Sequence, residues 1–270
     1  MTPPKDTTAP PPPSRILVEP VTGRVLFEEY GKVLRHPASL TKLMLLHLVF
    51  SGLDAGRYRL TDTFRMTIAG ARARGGRLGC PPGTVLRVEQ AIAAIAVASA
   101  NDVAVAVAEI LAGSVQTAVG AMNNAAMAMG LSATRFATPH GLDAPGQVTN
   151  ARDMARLATR IYTDFPVHRR FFGARSFELH GVAITNQNTL LPAYAGMNGL
   201  KTGTTPRAGC HLIGSAERNG RHLIAVVMGC ATKKMRNGAT AALLDFGFGS
   251  GADATAGGNA SPPNAASARR

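Results

Sequence analysis

Acidic residues are scarce in this chain: 16 Asp and Glu stand against 29 Lys and Arg in 270 residues, a formal net charge of +13. A surplus of that size implies anionic surroundings or partners, whether nucleic acid, anionic lipid or an acidic polymer. Aromatic residues are also few, at 5%, and no nucleic-acid-binding motif organises the scattered basic side chains. A nucleic-acid partner is therefore not expected. Only three cysteines occur, Cys80, Cys210 and Cys230, too few and too scattered for a disulfide scaffold or a zinc site. They read as small buried side chains, and no metal or cofactor is expected. An apolar leader is missing as well. Met1 to Pro13 holds mainly Pro and Thr, so it reads as neither a signal peptide nor a membrane span, and no membrane anchor is visible.

What remains is a globular composition, 46% hydrophobic and 17% charged, long enough to bury a full core. Residues 1–13 read as a disordered proline-rich arm, 14–249 as the folded unit and 250–270 as a disordered tail of Ala, Gly, Asn, Ser and Pro. Within the folded unit, Ile16 to Val18 and Val25 to Phe27 flank a Thr22 and Gly23 turn and predict a hairpin. A helix starting at Ser39 follows, ended by Gly52, and Leu60 to Thr84 reads as an irregular loop with a glycine- and arginine-rich patch at Arg72, Arg74, Gly75, Gly76 and Arg77. Val88 to Leu111 predicts two helices broken at Ser99, Ala100 and Asn101, with Asn101 and Asp102 as caps of the second. Helices come next over Val115–Met129 and, capped by Thr149 or Asn150, through Tyr162. Five strand segments, Phe177–Leu179, Val182–Ile184, Gly199–Thr204, Cys210–Glu217 and Leu223–Met228, then lead to a last helix over Met235–Phe246. Strands, helices, strands and a helix make an α+β pattern, with the N-terminal hairpin and the last strands in one antiparallel sheet covered by helices, and a helical subdomain beside it.

The chemistry centres on Ser39 and Lys42. The run Leu43 to Phe50 is apolar nearly all round, which marks a buried helix, and residues at i and i+3 share a helix face. The Lys42 ammonium can thus reach the Ser39 hydroxyl, which is a poor nucleophile until a base takes its proton. Acting as that base means lowering the lysine pKa from about 10.4 to about 7, at a cost of about 4 kcal/mol. The plainer alternative is an N-cap serine followed by a solvated first-turn lysine.

Two more motifs follow in order: Ser99 to Asn101 between two helices, and Lys201, Thr202, Gly203 on a strand. This set is described for penicillin-binding proteins and serine β-lactamases. From about Arg15 to Phe248 the chain resembles the low-molecular-mass penicillin-binding proteins, specifically the D-alanyl-D-alanine carboxypeptidases. The segments Pro37 to Lys42, Ser99 to Asp102, His140 to Asp143, Ala151 to Met154 and Gly199 to Gly203 are similar to landmarks of that family.

The resemblance implies a β-lactamase/transpeptidase-like fold. Its reaction would remove the terminal D-alanine from peptidoglycan pentapeptides through an acyl-enzyme, with β-lactams as inhibitors. It implies Ser39 as nucleophile, Lys42 as base, and Ser99 as the group passing a proton to the leaving amine. Asn101 would hold the substrate amide, while Lys201 adds positive charge and Thr202 meets the terminal carboxylate. The backbone N–H groups of Ser39 and Thr204 would form the oxyanion hole. Arg236 is similar to a family arginine that binds the carboxylate. Plainer readings stand beside these: Ser99 and Asn101 as a helix cap, Lys201 as an exposed strand lysine, Arg236 as an exposed helix-start residue, and His140 as a core histidine satisfied by backbone.

The chain departs from the pattern at Ala100, where glycine is common, and at Gln187, where some relatives carry a basic residue. It also shows neither the second β-rich domain nor the amphipathic anchor of many relatives. A periplasmic or extracytoplasmic location is implied by the substrate alone. Two alternatives remain. A class A β-lactamase needs a deacylating glutamate, but between Leu131 and His180 the only glutamate is Glu178, in a predicted strand. A non-catalytic penicillin- or peptidoglycan-binding sensor would not need the full polar set found here.

With Asn219 and Gly220 as a two-residue turn, Arg218 pairs with Arg221 and Cys210 faces Gly229. Cys210 and Cys230 would then point to opposite faces of the sheet and remain free thiols.

Overall fold

The computed structural model describes residues 11–249, so residues 1–10 of the expected arm over 1–13, and the expected tail over 250–270, lie outside the described residues. In chain order the first half comprises β1 (Ser14–Glu19), β2 (Arg24–Glu29), α1 (Lys42–Asp54), β3 (Thr63–Arg65), α2 (Ile68–Ala71), β4 (Val85–Arg87), α3 (Val88–Ala93), α4 (Asn101–Ala112) and α5 (Val115–Ala128). The second half comprises α6 (Ala151–Asp164), α7 (Arg170–Gly173), β5 (Ser176–Leu179), β6 (Val182–Thr185), β7 (Met197–Thr205), β8 (Gly209–Arg218), β9 (Arg221–Cys230) and α8 (Lys233–Gly249).

The main sheet has the order β2-β1-β9-β8-β7, and its pairs are antiparallel, so the N-terminal hairpin and the last strands do share one sheet. Both faces are covered. Along β1, Ile16 and Val18 join the core under the helices, whereas Leu17 joins a second core under α8. β9 alternates in the same way, with Ile224, Val226 and Met228 on the first side and Leu223, Ala225 and Val227 on the other. A strand buried on both faces reads as an unbroken apolar run, as Leu223 to Met228 does. The other half of the molecule is helical and is built around α1, whose Leu43, Met44, Leu45, Leu46 and Phe50 are fully buried. Among the described residues no single helix is long and apolar enough to cross a membrane.

Several boundaries differ from expectation. α1 runs through Gly52 to Asp54, so Gly52 does not end the helix; its lack of a side chain instead makes room for the Tyr58 ring. The loop after it contains β3 and α2, and Thr67 caps α2 by accepting the Gly70 N–H. α6 begins, as expected, after Asn150, whose Oδ1 accepts the Asp153 N–H at 2.8 Å.

The cysteine register is corrected. Arg218 does pair with Arg221, so the turn has two residues, but a bulge between Cys210 and Leu212 brings Cys210 opposite Cys230 rather than Gly229. The bulge forms at Gly229, which has φ +85° and gives its N–H to the His211 ring instead of continuing the ladder. All three cysteines are nonetheless free and buried.

Candidate active site

Ser39 lies in a single 3-10 turn, Ala38–Thr41, and Lys42 is the first residue of α1. The α-helix therefore opens at Lys42 rather than at Ser39, and Ser39 makes no capping bond, which removes the plain N-cap reading. Lys42 is fully buried, with Nζ 2.9 Å from Ser39 Oγ, 2.7 Å from Asn101 Oδ1 and 2.7 Å from the His140 carbonyl oxygen. Burial holds its pKa well below the usual lysine value, the charge of Lys201 pushes the same way, and Asp102 opposes them. A neutral amine carries two N–H groups and one lone pair. With Asn101 and His140 accepting the N–H groups, the lone pair is left for the Ser39 hydroxyl.

The second motif stands on the break between helices. A turn of π-helix, Ala94–Ala98, ends at Ser99 in a left-handed conformation with φ 59°, and α4 starts two residues later. The Ser99 hydroxyl is buried and has no hydrogen-bond partner among the described residues, a costly state that a functional group tolerates more readily than a structural one. The expected capping by Asn101 is not found. Asn101 is inside α4, Ala100 is the N-cap, and the Asn101 amide is spent on Lys42 and on the Arg74 carbonyl, 2.6 Å from Nδ2. One N–H of that amide remains for a ligand. Asp102 ties the loop before β4 to the helix by accepting the Gly79 N–H at 2.9 Å.

The third motif is on β7, an edge strand of the sheet. Lys201 is buried, not exposed, and burial with Arg236 nearby lowers its pKa to about 7. Gly203 is pressed against the serine turn: a Cβ there would meet Ala38 Cβ at 3.2 Å and Ser39 N at 3.3 Å. Thr202 lies beside Gln187, whose amide also donates to the Ala98 carbonyl at 2.8 Å and so joins strand to π-turn. Thr204 is exposed, at the mouth of the site. Arg236, expected at a helix start, is there but only 2% exposed, held by Asn237 Oδ1 at 2.7 Å from Nη2 and 3.4 Å from the His211 carbonyl. Ser39, Lys42 and Asn101 are thus joined directly, and β7 brings Lys201 to Thr204 alongside.

Comparison with known proteins places the chain in a family. The profile of the family described as D-alanyl-D-alanine carboxypeptidase matches residues 5–232. The chain belongs to that family. It is 38% identical over 244 residues to the D-alanyl-D-alanine carboxypeptidase DacA of Escherichia coli, covering 87% of this chain and 60% of that protein. The chain thus spans about three fifths of this relative's length. Among solved structures it is similar to penicillin-binding protein 5 of Haemophilus influenzae, with TM-score 0.84 and 33% identity over 92% of this chain and 73% of the other. It is also similar to penicillin-binding protein D2 of Listeria monocytogenes in an ampicillin-bound form, with TM-score 0.80 and 27% identity over 87% of this chain and 96% of the other.

Two contributors escaped the sequence reading of this carboxypeptidase-family site. His140 does satisfy its ring by backbone, since Nδ1 accepts the Leu142 N–H at 3.1 Å, but its carbonyl also fixes Lys42. The signal was Gly141, whose φ of +91° and contact with the Ala38 carbonyl admit no side chain. The other is His211, opposite Gly203 in the sheet and fully buried. Its Nε2 lies 2.9 Å from the His36 carbonyl oxygen, three residues before Ser39, and its Nδ1 accepts the Gly229 N–H at 2.9 Å. Those two bonds need a neutral ring with the proton on Nε2. Burial pushes its pKa down to about 4.

Proposed function

We propose that residues 14–249 form the catalytic unit of a serine-type D-alanyl-D-alanine carboxypeptidase that releases the terminal D-alanine of peptidoglycan pentapeptides. The observation that carries this reading is the buried Lys42 amine, 2.9 Å from Ser39 Oγ with its other bonds taken. Lys42 accepts the Ser39 proton as Oγ attacks the penultimate D-alanine carbonyl, and the backbone N–H groups of Ser39 and Thr204 receive the developing oxyanion. Ser99, with its unpartnered hydroxyl, passes a proton to the leaving amine. Asn101 offers its remaining N–H to the substrate amide. Lys201, Thr202 and Arg236 draw the terminal carboxylate, and Gly203 lets β7 approach Ser39 closely enough for both oxyanion donors to converge. Water then hydrolyses the acyl-enzyme.

The same attack on a β-lactam ring gives a stable adduct, in keeping with the ampicillin-bound form of the Listeria protein. A class A β-lactamase reading finds no support, because Glu178 lies on the exposed part of the β5–β6 hairpin. An extracytoplasmic location follows from the proposed substrate. The test is D-alanine release from a peptide ending in D-Ala-D-Ala, by the wild-type chain and by Ser39→Ala. Release by wild type alone supports the reading, and rapid, repeated nitrocefin turnover would replace it with a β-lactamase.

A further inference from the structure

The arginine-rich loop between α2 and β4 plays no part in the chemistry above, yet it forms one wall of the site. From Thr63 to Val88 the chain carries Arg65, Arg72, Arg74, Arg77 and Arg87 and no acidic residue. Arg72, Arg74 and Arg77 are exposed, and none is in an ion pair among the described residues. Soluble surfaces usually intersperse the two signs, so three uncompensated guanidiniums in six residues are a concentrated positive field.

The placement of this loop is fixed by the site itself. The Asn101 side chain donates to the Arg74 carbonyl at 2.6 Å, the Asn101 N–H donates to the Gly76 carbonyl at 2.7 Å, and Asp102 accepts the Gly79 N–H at 2.9 Å. Gly75, at the crest, has φ +82°, and a Cβ on it would approach Asn101 Nδ2 to 2.6 Å. The three arginines therefore flank the residue that meets the substrate amide. The edge strand β7 packs on the serine turn through Gly203, and there Lys201 and Thr202, with Arg236 near Lys201, already provide for the terminal carboxylate.

We propose that Arg72, Arg74 and Arg77 form a second anion subsite, which selects substrates bearing free carboxylates on the peptide upstream of the scissile bond. A guanidinium pairs with a carboxylate through two parallel N–H bonds, which favours this ligand over a neutral carboxamide at the same position. The proposal rests on the carboxypeptidase reading and deepens it by naming the substrate class.

The experiment compares two synthetic peptides ending in D-Ala-D-Ala, one with free carboxylates upstream and one with carboxamides in their place. Wild type should show a ratio of kcat/KM favouring the carboxylate peptide by about fivefold to tenfold, as expected of a few exposed charge pairs, and high salt should shrink it. In R72Q/R74Q/R77Q the ratio should fall to about one by the same reasoning. Because the readout is a ratio within one protein, general loss of folding leaves it unmoved. A wild-type ratio near one, or a ratio that survives in the triple variant, overturns the proposal. So does a preference for anionic wall polymer over the carboxylate peptide, tested as competitive inhibition. Cleavage of neither peptide by wild type would instead refute the carboxypeptidase reading itself.

Discussion

Replacing His211 with Phe keeps a buried ring of similar size but removes both of its hydrogen bonds, so the His36 carbonyl loses its donor and the Gly229 N–H its acceptor. Leaving a buried polar group unpaired costs about 1–3 kcal/mol, and both groups here are only half-buried, so the loss should total about 2–4 kcal/mol. For a unit of this size that corresponds to a fall in Tm of about 4–16 °C. The effect on chemistry is separate. His36 leads directly into the turn carrying Ser39, and the oxyanion donors must be placed to within a few tenths of an ångström. Acylation should therefore slow by about tenfold to a hundredfold even when measured well below the melting temperature. His211→Asn separates the two bonds, because Oδ1 can stand in for Nδ1 toward Gly229 while nothing reaches His36. That variant should recover much of the stability and little of the acylation rate. Differential scanning calorimetry and stopped-flow acylation by a fluorescent penicillin read the two effects independently. A folded Phe variant that acylates at the wild-type rate would refute the positioning argument.

Lys42→Arg should fold and yet fail to acylate, since arginine does not give up its proton in a protein; near-normal labelling by penicillin would show that Lys42 is not the base. His140, His211 and His222 each have a pKa lowered to about 4, chiefly by burial. Between pH 6.5 and 4 the unfolded chain thus holds more protons than the folded one. Stability should fall with pH through that window, by about 1.4 kcal/mol per pH unit for each histidine, and level off below it. Urea denaturation at pH 7, 6 and 5 measures this, and a flat profile would contradict it. Burial pushes the Cys230 thiol up to about 11, which keeps it protonated, so the denatured, unreduced protein should titrate three thiols. A count of one would show that Cys210 and Cys230 had been oxidised.

The sequence was most legible where function coincides with regular spacing. Ser39 and Lys42 are one helical turn apart, and Lys201 to Thr204 were legible as a strand motif although the burial of Lys201 was not. Asn101 was ambiguous, because the same residue type serves as a helix cap and as a site amide, and only its place inside α4 and its contact with Lys42 separate the two. His211 and the Cys210 register were not legible, since both depend on one extra residue at Gly229, and a bulge changes pairing without altering the apolar pattern on either side. The attachment of the Arg72–Arg77 loop to Asn101 runs through backbone carbonyls, which any sequence possesses and none advertises. That the N-terminal hairpin shares one antiparallel sheet with the last strands, by contrast, followed from the strand–helix–strand–helix pattern, while the strand order did not.

The central claim is that Ser39, activated by Lys42, is the acylated residue. Incubation with a penicillin, followed by intact-mass measurement and peptide mapping, tests it most directly. The account predicts a single adduct on the peptide containing Ser39, and none in Ser39→Ala, which should otherwise fold as wild type. An adduct on any other serine, or persistent labelling of Ser39→Ala, would contradict it.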